Sequence, residues 1–161
     1  MKSLFNPVVI LFLVFMASCS TLKTTPEAIG EITKKVESKN FTVVINYANP
    51  MRMKQRYLTS EYDLQIKNDS AFAYLPYFGV AYSAPYGMGE GGIKFADFMK
   101  DYSMEPTKKK DGWDIRFKVK NAENNYDISL SVFNNGRAMV VVNSYSRDPI
   151  TFTGEVNQET K

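Results

Sequence analysis

The chain has no histidine among its 161 residues and a single cysteine, Cys19. Zinc sites built from cysteine and histidine, nucleophiles activated by histidine, and haem ligation are thereby excluded. No Asp/Asn/Glu loop with calcium-binding spacing occurs. The glycine-rich run Gly87-Met88-Gly89-Glu90-Gly91-Gly92 lacks the GK[ST] ending of a phosphate loop, and Glu90 would repel phosphate. No cofactor is expected. Excess charge is missing too: 20 basic side chains, one of them Lys2 near the N-terminus, stand against 17 acidic ones. That balance gives no electrostatic case for nucleic acid. Long apolar runs are also absent. Val8–Ala17 is unbroken but far short of the ~20 residues that cross a bilayer as a helix.

Val8–Ala17 has instead the length of the apolar centre of a secretory leader, and Met1-Lys2-Ser3 supplies the positive start. It closes on Met16-Ala17-Ser18-Cys19, which resembles a bacterial lipoprotein signal, cut before a cysteine whose thiol carries acyl chains such as palmitate. The expected division is a leader at 1–18, a lipid-anchored tether at 19–25 and one β-rich domain at 26–161. Two or three acyl chains, at ~0.8 kcal/mol per buried CH₂, make attachment nearly permanent. At ~3.3–3.6 Å per residue the tether holds the domain within about 20 Å of the bilayer. Ser20-Thr21-Leu22-Lys23 after Cys19 do not resemble an acidic surface-export signal, and the expected location on that likeness is the outer membrane, facing the periplasm.

Aromatic residues at 14% and hydrophobic residues at 44% make the chain a folding one, long enough for a real core. Thr25 as N-cap and Pro26 as first residue open a helix, with Ala28, Ile29, Ile32 and Val36 on one face and Ser38-Lys39-Asn40 as its end. The period then changes to two. Phe41–Ala48 places Phe41, Val43, Ile45 and Tyr47 on one side, and Asn49-Pro50 is read as its break. Tyr62, Leu64 and Ile66 share a face in the next strand, and Asn68-Asp69 turns it into Ala71–Tyr82. Gly112–Lys120 alternates Trp113, Ile115, Phe117 and Val119 inward; Tyr126–Phe133 does so with Tyr126, Ile128, Leu130 and Val132. Asn135-Gly136 reads as a two-residue hairpin turn, and Ala138–Tyr145 and Ile150–Val156 follow. Strands joined by short turns pair antiparallel. The predicted fold is mainly β (α+β), an antiparallel meander forming a sandwich or open barrel with one N-terminal helix.

The stretch Tyr74–Tyr82, YLPYFGVAY, holds four aromatic rings in nine residues beside the glycine run. As one strand it would pack its bulky side, Phe72, Tyr74, Phe78 and Tyr82, with Pro76 marking an edge or bulge. As a site, Tyr74, Tyr77, Phe78, Tyr82 and Tyr86 would line a groove with the Pro85–Gly92 loop. Lys108-Lys109-Lys110 is read as a hairpin tip. Asp97 and Asp101 would share a face only on a helix, and with Glu90 they are the acids a carboxylate hydrolase would need.

Tyr74-Leu75-Pro76-Tyr77-Phe78-Gly79, Ala81-Tyr82, Gly91-Gly92-Ile93-Lys94-Phe95 and Gly112-Trp113-Asp114 together resemble a family of small lipoproteins from Bacteroides-type bacteria, known only as a domain of unknown function. Asn135-Gly136, Ala138, Ser144, Arg147-Asp148, Ile150, Phe152 and Gly154 extend the likeness over Phe41 to Val156. It implies an envelope lipoprotein with a β-rich domain, and no activity, cofactor or catalytic residue. The expected function is a non-enzymatic binding or accessory module, attached to the membrane through Cys19. Its partner would be a small apolar ligand, a lipid, a glycan or an envelope protein. A structural envelope protein is the alternative, and a carboxylate hydrolase the third.

Overall fold

The computed structural model describes residues 25–82, 91–120 and 124–157. The expected leader, Cys19, Tyr86 and Glu90 lie outside them. Helix α1 (Pro26–Glu37) starts where the sequence places it: the Thr25 hydroxyl accepts the Ala28 N–H at 3.3 Å, and Pro26 needs no donor at the first position. Ile32 and Val36 are buried, as their spacing predicts. Lys39, at φ 52°, turns the chain out of the helix. Among the described residues no helix is long and apolar enough to cross a membrane.

Ten strands follow: β1 (Asn40–Pro50), β2 (Arg56–Tyr57), β3 (Asp63–Lys67), β4 (Ser70–Leu75), β5 (Ile93–Phe98), β6 (Lys100–Pro106), β7 (Gly112–Lys120), β8 (Asn125–Phe133), β9 (Arg137–Ser144) and β10 (Arg147–Val156). They form one antiparallel sheet in the order β5-β4-β3-β1-β10-β9-β8-β7-β6, with β2 added beside β1. The sheet curls into a nearly closed barrel, resolving the choice between sandwich and barrel. Phe117, Phe152, Leu64, Leu130 and Ile150 fill its interior with Ile32 and Val36 of α1. Each such side chain contributes ~1.5–3 kcal/mol by leaving water.

Local expectations are corrected at three places, β4, β1 and the Asn135-Gly136 turn. In β4 the small side faces inward: Ala71, Ala73 and Leu75 are buried while Phe72 and Tyr74 point out. Ala71 and Ala73 stand opposite Ile66 and Leu64 on one flank, and Ala73 faces Phe95 on the other, so a narrow interior already crowded by large neighbours takes methyl groups there. β4 is also an inner strand that stops before Pro76, not an edge strand running to Tyr82. In β1, a bulge between Ile45 and Tyr47 inverts the alternation. Phe41, Val43 and Ile45 are buried, then Ala48 and Pro50, so Tyr47 faces solvent and pairs edge-on with Tyr57 at 5.3 Å. Pro50 ends the strand from within, opposite Ile150. At the third position, Asn135 keeps a negative φ: the Gly136 N–H bonds the Phe133 carbonyl at 2.9 Å and Gly136 alone adopts φ 81°, a longer turn than the two-residue form.

The sheet ends on β5 and β6, which are joined at a corner by Met99, whose N–H reaches back to the Asp69 carbonyl at 2.7 Å. Asp97 points to the inward side of β5 beyond Ile93 and Phe95, and its Oδ1 accepts the Phe98 N–H. On β6, Asp101 has φ 51° at a register shift, and Pro106 closes the strand.

Candidate functional site

Pro76 removes a donor at the end of β4, and the chain leaves the sheet for an excursion that returns at Gly91. Both ends of that excursion are held by Arg147 and Asp148, the first residues of β10. On the outgoing side, the Asp148 N–H donates to the Val80 carbonyl at 3.0 Å and the Tyr82 N–H to the Ser146 carbonyl at 2.8 Å. The Tyr77 hydroxyl lies 2.9 Å from the Val80 carbonyl and 3.1 Å from that of Asp148. On the returning side, Arg147 Nη1 donates to the carbonyls of Gly91 and Gly92, at 3.2 and 3.0 Å. The same guanidinium lies over the Tyr77 ring, 5.0 Å from its centre. Two adjacent residues thus clasp both ends of the excursion.

Asp148 is only 5% exposed. Its Oδ1 accepts the Tyr82 hydroxyl, and its Oδ2 sits 3.2 Å from Arg52 Nε in an ion pair not aligned as a hydrogen bond. Removal from water, and then the negative charge of Asp148, push the Tyr77 phenol above its ordinary range; the hydrogen bond to Asp148 does the same for Tyr82. A folded-state pKa raised above the unfolded 10.0 means the neutral phenols stabilise the fold. That contribution is fully present below pH 10.0 and is lost as pH climbs through the raised values. Urea midpoints should therefore fall as pH rises past the ordinary tyrosine range, and fall less steeply in Tyr82→Phe. Parallel curves for the two proteins would refute this.

The clasp shapes an open groove of about 290 Å³. Tyr62 and Tyr74 stack along it at 5.4 Å and 27°, and Pro76, Tyr77, Gly91 and Gly92 complete its lining. Lys94 stands at the rim, its ammonium 4.8 Å from the Tyr74 ring centre. Gly92 is required here, since a Cβ on it would stand 2.8 Å from the Leu75 carbonyl oxygen.

Of the five aromatics proposed from sequence, the structure brings Tyr74 and Tyr77 together in this groove. Phe78 packs on the core beneath the Arg56 guanidinium, 4.7 Å away, and Tyr82 belongs to the clasp. Tyr62, Arg147 and Asp148 were not singled out as site residues. One signal was available: Asp148 shares the parity of buried Ile150, which puts a carboxylate on the inward side of a strand. Asp97 and Asp101 do not share a helical face, because they lie on the successive strands β5 and β6. Asp97 caps its own strand end, and Asp101 is held by Lys118 Nζ at 2.9 Å, which lowers its carboxyl below the usual range. Lys108–Lys110 do form a hairpin tip between β6 and β7.

Comparison with solved structures finds a crystal structure of a DUF4251 family protein from Bacteroides eggerthii, with TM-score 0.61 and 15% identity. The alignment covers 81% of this chain and 87% of that one, which establishes a shared fold. No curated protein matches the chain. The family profile described as "Domain of unknown function (DUF4251)" matches residues 24–156, from the residue before the N-cap of α1 to the last residue of β10. Spanning the whole described barrel, that match makes the chain a member of the DUF4251 family.

Proposed function

We propose that the protein is a lipid-anchored, non-enzymatic binding module of the cell envelope, attached through Cys19 and facing the periplasm from the outer membrane. One observation carries the reading: tyrosines that could have filled a core instead line an open, shaped groove beside the Arg147–Asp148 clasp. Tyr74 keeps 46% of its surface accessible although it lies on an inner strand, where an outward ring contributes little to the core. Tyrosine gives a binding surface large area at small cost in side-chain freedom. The groove suits a small, partly apolar ligand or a projecting partner side chain.

The test is crosslinked capture from the native envelope, with lipids, glycans and proteins all analysed, comparing the wild-type chain with Tyr74→Ala. A bound component whose recovery falls roughly tenfold in the variant is expected, since losing a ring from a binding surface costs more than about 1 kcal/mol. Identical recovery from both chains would overturn the groove as a site. Cys19→Ala should release the protein from the membrane fraction, and retention there would overturn the anchor.

A further inference from the structure

A second cluster lies on the outer face of the barrel where β8 and β9 pair. Asp127 stands opposite Asn143, Asn125 lies two residues back on β8, and Tyr145 follows the last residue of β9. With Ser144 they line a shallow depression of about 130 Å³. Tyr145 is 88% exposed, more than any other large hydrophobic side chain described. Its turn is nonetheless tied down: Ser146 donates its hydroxyl to Asn124 Oδ1 at 2.7 Å and its N–H to the Ser144 hydroxyl at 3.3 Å. The ring is thus presented from a fixed turn. Among the described residues the Asn125, Asn143 and Tyr145 side chains make no hydrogen bond, and the Lys118 ammonium, held first by Asp101, also feels the Asp127 carboxylate and the Tyr145 phenol. Lys118, opposite Asp127 on β7, is engaged by Asp101 at 2.9 Å.

We infer that this patch is a binding site for a neutral saccharide. A pyranose has a flat face of C–H groups and a rim of hydroxyls that both donate and accept. The exposed Tyr145 ring matches the face. Asn125 and Asn143 offer donors and acceptors, and Asp127 accepts only, which selects hydroxyl donors. An anionic sugar would meet the Asp127 carboxylate directly, with the Lys118 ammonium across from it shared with Asp101 and Lys120 standing opposite Asn125. A lipid chain or apolar ligand would strip water from two amides and a carboxylate and pair none of them. The site is separate from the groove and does not depend on its having a ligand.

The test uses the chain from Ser20 onward, which keeps every described residue, followed by NMR. Maltotetraose, cellotetraose and the N-acetylglucosamine tetramer serve as probes. At least one should shift the backbone amides of Asn125, Asp127, Asn143 and Tyr145 saturably. An open site of four side chains implies a Kd on the order of 1 mM. Tyr145→Ala, a change in an exposed turn, should weaken that binding roughly tenfold, and Asn143→Ala severalfold, while Tyr74→Ala leaves it unchanged. Absence of saturable shifts with all three sugars at ten times that concentration would overturn the inference. So would binding that survives Tyr145→Ala in a variant with an unaltered spectrum elsewhere. If Tyr74→Ala alone abolishes the shifts, the sugar belongs to the groove, and the patch is refuted while the binding-module reading stands.

Discussion

Gly154→Ala should destabilise the protein by roughly 2–4 kcal/mol, read as a lower urea midpoint at unchanged slope. A Cβ at Gly154 would overlap the Val44 carbonyl oxygen and come within 2.8 Å of the Val44 carbonyl carbon and 3.0 Å of Ile45 Cα. All three obstacles are backbone, so no side chain can rotate away. The site lies where β1 bulges between Ile45 and Tyr47 and the two strands approach closely. Accommodating one methyl group means parting β1 from β10, the pair that joins the β3–β5 half of the barrel to the β6–β9 half. A stability within ~0.5 kcal/mol of wild type would mean that the bulge can slide, and the packing account would be wrong.

Asp148→Ala should cost about 2–3 kcal/mol, and Asp148→Asn clearly less. Alanine leaves the Tyr82 hydroxyl without its acceptor and Arg52 without its counter-charge, beside a void in a site only 5% exposed. Asparagine keeps an oxygen for Tyr82 and loses only the ion pair, which an exposed Arg52 screens in water. The consequence is local as well as global, because the Asp148 carboxylate holds the Tyr82 hydroxyl where the chain leaves β4. Limited proteolysis should therefore cut the alanine variant between Pro76 and Gly92 well before cutting elsewhere. Equal losses in the two variants, or cleavage scattered evenly along the chain, would show that Asp148 is no clasp.

How much of this was legible beforehand depended on how local the deciding physics is. The α1 cap needs only Thr25 and Pro26, which are adjacent. The inward faces of β7 and β8 need only their own alternation, and both were read correctly. The failures were at positions decided by distant strands. Nothing within SAFAYL says that methyl groups face inward, because that follows from Ile66, Leu64 and Phe95 occupying the same layer. The β1 bulge depends on Gly154, more than a hundred residues away, and it turned Tyr47 outward. The candidate groove was half legible for the same reason. Tyr74 and Tyr77 announce themselves as rings in an aromatic stretch, but Tyr62 reaches the groove only through the β3–β4 register, and Arg147 meets Tyr77 and the Gly91-Gly92 carbonyls only through the tertiary fold.

The barrel's seam has a bearing on how densely the molecule can be crowded. Two copies meeting along their β5 edges would have to bring the Asp97 carboxylates under cover, each already turned toward the inner side of its sheet. Along β6, the left-handed kink at Asp101 and the missing donor at Pro106 interrupt the straight row of backbone groups that a foreign strand would need. An incompletely closed sheet therefore carries its own obstacle to strand-by-strand growth. Many copies held on one surface would stay separate molecules rather than extend one another's sheets.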